Sequence, residues 1–234
     1  MLHCPAAKHS GRWWPVAAVS ALMALCLLCG GRAFGSEACV PPPGFVDVPP
    51  PPIAEVNRLV SHTEQIVIDR PLAVVLDATN RPLKDVLHQT NSLPGVVGDH
   101  PLTPNGFDLP GSRRMVCLSD GSTLEEQVLE KRRDPTSYRF RYEVWNYTTA
   151  KARPIAYAVG EFHFSQVEPR RTRIVWTYSF ALRPNRFPGY LGSAGDFLFR
   201  VGFLDRQYAE LMRGTLEGYK TMAGTTAESA SAHR

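Results

Sequence analysis

The chain has 234 residues, with 26 basic and 22 acidic side chains and a formal charge of +4, which bounds it to about one domain able to bury a real core. Three of the basic residues, Lys8, Arg12 and Arg32, precede position 36 with no acidic partner, so the remainder, at 23 basic and 22 acidic, is nearly neutral. Charge therefore gives no argument for a nucleic-acid partner, and the clusters Lys131-Arg132-Arg133 and Arg170-Arg171 read as solvated hairpin ends.

Lys8 and Arg12 open the chain with positive charge, Val16 to Leu28 is an unbroken apolar or small run, and Ala33-Phe34-Gly35 offers a small-x-small cleavage site. Residues 1–35 read as a secretory signal peptide. The apolar run falls well short of the ~20 residues a membrane-spanning helix needs, which makes an uncleaved anchor the weaker alternative. Cys4, Cys26 and Cys29 would leave with the signal, and Cys39 and Cys117 would then be the only cysteines in a compartment that permits disulfides. A bridge between them stays open, because Cys39 lies in a proline-rich tail and Cys117 in a predicted strand. The residues before Cys29 and Cys39 fit a lipoprotein signal poorly, so the expected product is soluble and exported, periplasmic or secreted.

Residues 36–54 read as a spacer, since the seven prolines from 36 to 53 favour extended polyproline II and give no packed core. The folded part, 55–223, opens with a strand at 63–69, where Ile66 and Ile68 alternate with other positions, and continues into two short helices that begin at Pro71 and Pro82. A loop rich in Gly, Pro and Asn spans 93–111. Three strands follow, at 113–119, 123–131 and 137–145, the first two joined at Asp120-Gly121, a tight-hairpin signal. The third alternates most cleanly, with Tyr138, Phe140, Tyr142 and Val144 on one face and Arg139, Arg141 and Glu143 on the other. Two long strands come next, at 155–166 and 172–182, and Ile174, Trp176, Tyr178, Phe180 and Leu182 mark the inward face of the last. Apolar residues then recur at Phe197, Val201, Leu204, Tyr208, Leu211, Thr215 and Tyr219, one face of a long helix. Residues 224–234 read as a frayed tail.

The order of elements is that of the helix-grip fold, an α+β architecture in which a curved antiparallel sheet wraps a long C-terminal helix and two short helices follow strand one. The wording at Gly111-Ser-Arg-Arg-Met-Val-Cys-Leu-Ser-Asp-Gly, Leu124-Glu-Glu-Gln-Val-Leu-Glu and Thr172-Arg-Ile-Val-Trp-Thr-Tyr-Ser-Phe resembles the START-like (SRPBCC) superfamily, which includes Bet v 1-like proteins. Within it the polyketide cyclase/dehydrase and lipid-transport group is nearest. The resemblance spans roughly residues 60–222 and implies a cavity between sheet and helix for lipids, sterols, polyketides or similar molecules. It also implies that Glu126 points into that cavity and that Arg114 lies near its mouth. The Tyr, Trp and Phe of the inward strand faces suit such a pocket, although they would equally fill a solid core.

A two-residue turn at Asp120-Gly121 would pair Met115 with Glu126, which puts Arg114 on the opposite face and conflicts with the resemblance. Expected ligand contacts are Arg114, Met115, Glu126, Phe140, Tyr142, Trp176, Tyr178, Phe197, Val201 and Tyr208. If the protein is an enzyme of the cyclase or dehydrase kind, its acid/base groups would come from Glu126, Tyr142, Glu161 and His163, although Phe162 and Phe164 are the more natural core residues of that strand and favour an exposed face for the last two. A third reading is a scaffold with a filled core. After residue 35 no nucleophile, phosphate-loop or metal motif is present, and His62, His88, His100 and His163 are too scattered for zinc. The expected partner is a hydrophobic small molecule, with no cofactor, metal or nucleic acid. Membrane-surface contact and oligomeric state stay open.

Overall fold

The computed structural model describes residues 39–55, 58–104 and 106–231; the signal-peptide expectation lies outside these residues. The elements are β1 (Val60–Ile68), α1 (Leu72–Thr79), a 3-10 turn at Leu83–Asp85, β2 (Val96–Pro101), β3 (Arg113–Leu118), β4 (Thr123–Asp134), β5 (Ser137–Trp145), β6 (Ile155–Glu168) and β7 (Arg171–Leu182). The C-terminal helix follows in three parts: α2 (Ser193–Phe199), a π-helical stretch (Arg200–Tyr208) and α3 (Ala209–Ser231). Seven antiparallel strands form one sheet in the order β1-β7-β6-β5-β4-β3-β2. The expected curved sheet, terminal helix and short helices after strand one are all present.

Period-two alternation in β5 to β7 decides which face is which. Tyr142 pairs with Gly160, Phe140 with Phe162, and Phe162 in turn with Trp176, so one face is lined with aromatic rings and is covered by the terminal helix. Leu72, Val75 and Ala78 turn the buried side of α1 toward the same core. Each fully buried ring or branched side chain there contributes on the order of 2 kcal/mol. At the free edge of β1, His62 joins Asp205 of the π-helical stretch at 2.8 Å and Glu64 at 2.9 Å, and Glu64 accepts from Arg213 of α3 at 2.6 Å. These contacts pin the helix to the sheet.

Three expectations change. The first hairpin is closed by a three-residue loop, Ser119 to Gly121, between Leu118 and Ser122, with Gly121 at φ +80° supplying the left-handed residue. The extra loop residue shifts the register by one, so Arg114 pairs with Glu126 and Met115 with Glu125. Met115 is therefore buried on the convex face, away from the helix. Second, the loop at 93–111 contains β2, an edge strand whose Gly98 and Pro101 hide the usual alternation. Third, Phe197 is 62% exposed while Phe199 is buried. A π-helix turns less per residue than an α-helix, so over nine residues the inward face slips, and the stripe phased from α3 does not extend back to 197.

The convex face is covered by residues 39–54, which the sequence suggested as a spacer. Cys39 forms a disulfide with Cys117, and Gly98 leaves room for it, since a Cβ there would come within 2.9 Å of the Cys39 Cβ. Proline lacks an N–H, so the other ties run through the residues between prolines. Arg113 donates twice to Asp47 at 2.7 and 2.8 Å, Val48 N–H donates to Glu125, and the Trp145 indole donates to the Val48 carbonyl at 2.8 Å. Farther along, Ala54 N–H donates to the Tyr157 hydroxyl at 2.7 Å.

Candidate functional site

Between the aromatic sheet face, α1 and α3 lies a cavity of about 560 Å³, and a smaller one of about 130 Å³ adjoins it toward the π-helical stretch. Leu83, Leu87, Glu126, Tyr142 and Trp176 wall both. Phe162 stacks on Trp176 with ring centroids 4.5 Å apart, Phe140 stacks on Tyr142 at 5.1 Å, and Tyr219 of α3 meets Phe162 edge-on. Tyr142 can lie flat because Gly160 faces it: a Cβ at 160 would sit 2.2 Å from the Tyr142 ring. Tyr178 and Tyr208, in contact at 4.6 Å, belong to the smaller cavity together with Phe180 and Phe203.

Beside the rings, the larger cavity is lined by charged side chains, Asp77, Arg81, Asp108, Arg114, Glu126, Lys131 and Arg133. Arg114 holds Glu126 through Nε at 2.7 Å and a terminal nitrogen at 2.6 Å, and its guanidinium lies 3.8 Å over the Phe107 ring. Lys131 donates to the Phe107 carbonyl at 2.8 Å and faces the Phe140 ring, with burial pulling its pKa down. Two buried groups of the described cavity walls lack a hydrogen bond: the Trp176 indole N–H, which sits near the Tyr142 hydroxyl without reaching bonding geometry, and the Tyr147 hydroxyl. Burial, with neighbouring phenols and the Glu126 carboxylate adding, raises the pKa of Tyr142, Tyr147 and Tyr178 well above the ordinary value. All three are neutral donors at any physiological pH.

Of the residues expected at the site, Arg114, Glu126, Phe140, Tyr142, Trp176, Tyr178 and Tyr208 wall the two cavities. Met115 and Phe197 do not, for the reasons of register and helix phase given above, and Val201, half-buried in the π-helical stretch, lines neither cavity. Glu161 and His163 are on the convex face, where Glu161 accepts twice from Arg139 at 3.0 Å and His163 is exposed. Lys131 was read as part of a solvated hairpin end. Counting back from Asp134 and Ser137 places it across from Phe140, and that register was the available signal. Among the described residues no cluster of His, Cys, Asp and Glu is placed to hold a metal ion.

The sheet and terminal helix together define the class by architecture: the chain has the helix-grip fold. No protein-family profile matches the chain and no curated protein matches it. Among solved structures, the di-domain ARO/CYC StfQ from the steffimycin biosynthetic pathway aligns with a TM-score of 0.51 at 14% identity, over 74% of this chain and 53% of that one. This chain thus spans about half of StfQ. The Zhui aromatase/cyclase from Streptomyces sp. R1128 aligns at 0.45, with 15% identity over 70% and 93% of the two chains. Ara h 8.0201 aligns at 0.48, with 15% identity over 70% and 97%. At such identities the likeness is one of fold alone.

Proposed function

We propose that this protein binds and carries a hydrophobic small molecule, lipid-like or polycyclic, outside the cytoplasm. The observation that carries this reading is a buried donor, Trp176 Nε1, without an acceptor in the wall of an aromatic cavity of about 560 Å³. The volume is in the range of small-molecule sites, and apolar burial at ~25 cal/mol per Å² supplies several kcal/mol of affinity without a covalent step. An indole N–H only donates, so the ligand places a carbonyl, ether or hydroxyl oxygen beside it. The Cys39–Cys117 disulfide supports an oxidising compartment.

Acid–base chemistry has less support. Glu161 and His163 do not reach the cavity, Glu126 is clamped by Arg114, and the cavity tyrosines titrate far above neutrality. A binding panel of long-chain acids, sterols and polycyclic ketones tests the reading, with wild type set against Trp176→Phe. The variant keeps a ring against Phe162 but loses the donor. Affinity for an oxygen-bearing ligand is expected to fall about fivefold to tenfold. Binding of none of these compounds by the wild type would overturn the carrier reading.

A further inference from the structure

The approach to the terminal helix is apolar on its outside. Phe187, Tyr190, Leu191, Phe197 and Leu198 are between 41% and 62% exposed. They form one patch, because α2 packs tightly on the preceding turn: a Cβ at Gly195 would lie 2.0 Å from the Pro188 carbonyl and 3.3 Å from Leu191. The Phe187 and Tyr190 rings are 6.0 Å apart within it. Arg183, Arg186, Arg200 and Arg206 are exposed around the patch, and among the described residues none of the four has an ion-pair partner, although Arg183 donates through Nε to the Ile155 carbonyl at 3.0 Å. Of the sheet arginines, Arg113, Arg114, Arg132, Arg139, Arg141 and Arg171 are paired with carboxylates, while among the described residues Arg133 and Arg173 are not. Asp196 and Asp205 are the acidic groups of the same stretch, and Asp205 is engaged by His62.

We propose that this patch docks the protein on the surface of a bilayer containing anionic phospholipid. Phenylalanine and tyrosine rings settle at the boundary between headgroups and acyl chains, while unpaired arginines around them meet the lipid phosphates. Charge complementarity favours this occupant over a second copy of the chain, whose own patch would bring the same four arginines into opposition. No described helix is long and apolar enough to cross a membrane, and the contact proposed is with the surface. The arrangement also has a use. Phe203 and Tyr208, a few residues on, wall the smaller cavity, so the docked segment borders the ligand's space.

Vesicle co-sedimentation of the purified protein tests this, using phosphatidylcholine vesicles with and without phosphatidylglycerol. Wild type is expected to sediment with the anionic vesicles and much less with the neutral ones. The double variants Phe187→Ser/Phe197→Ser and Arg186→Gln/Arg200→Gln should each weaken binding by about tenfold, with unchanged circular dichroism because all four side chains are exposed. Failure of wild type to bind either vesicle, or binding by both variants as strong as that of wild type, would overturn the proposal. So would analytical ultracentrifugation showing a dimer that the serine variant dissolves, since the patch would then be covered by a second copy.

Discussion

The two faces of the sheet bury charge and aromatic rings in opposite ways, although they alternate along the same strands. On β4, Glu126 faces the cavity and is held by Arg114, whereas the next residue back, Glu125, faces the proline-rich strap and is fully buried with one oxygen unpartnered. On β5, Tyr142 walls the cavity while Glu143 beside it is 2% exposed under the convex covering. Burial of a titratable group is thus no guide to the site by itself. The concave face has room, lined by aromatic rings and by charged side chains; the convex face has acids sealed beneath a tether.

The largest effect expected is on the convex side. Replacing both cysteines, as Cys39→Ser/Cys117→Ser, frees a crosslink spanning 78 residues and should cost about 4 kcal/mol in denaturant unfolding. Cavity binding at low temperature should persist, which separates strap from site. On the concave side, Arg114→Ala leaves Glu126 buried without its partner and should cost about 3 kcal/mol, while Arg114→Met/Glu126→Leu should recover most of it. Gly160→Ala should cost about 1–3 kcal/mol by overpacking, because its Cβ would displace the Tyr142 ring. A drop in ligand affinity should accompany it.

A further effect is one of pH. Burial raises the Glu143 pKa from 4.5 to about 7, with Arg141 opposing, and raises that of Glu125 in the same direction. Below pH 4.5 both folded and unfolded chains are protonated there. Between 4.5 and about 7 the unfolded chain gives up the Glu143 proton and the folded one keeps it, so stability falls with rising pH and levels off above 7. Thermal unfolding across that window should show the decline, and Glu143→Gln should flatten it. A profile unchanged by that substitution would contradict the sealed-acid description of the convex face.

Much of the concave face was legible because β5 and β7 alternate cleanly and both end in aromatic runs, and α3 repeats its apolar residues in helical steps. That Glu126 points into the cavity and Arg114 lies near its mouth was implied by family resemblance, yet the face of Arg114 was contradicted by a turn read as two residues long, since Asp-Gly serves both a two-residue turn and a three-residue loop that ends on glycine. Phe197 was misplaced because no local pattern announces a π-helical stretch. The strap was illegible for another reason: a polyproline segment carries no periodicity, and its contacts with Trp145, Tyr157 and Glu125 are made more than 70 residues away.

Native mass spectrometry of the purified protein, followed by organic extraction of whatever travels with it, is the most direct measurement. An apolar, oxygen-bearing molecule bound one to one, and weakened by Trp176→Ala, is the expected result. A bare protein that also binds no hydrophobic probe would contradict the carrier function and leave the cavity as an incidental gap in an aromatic core.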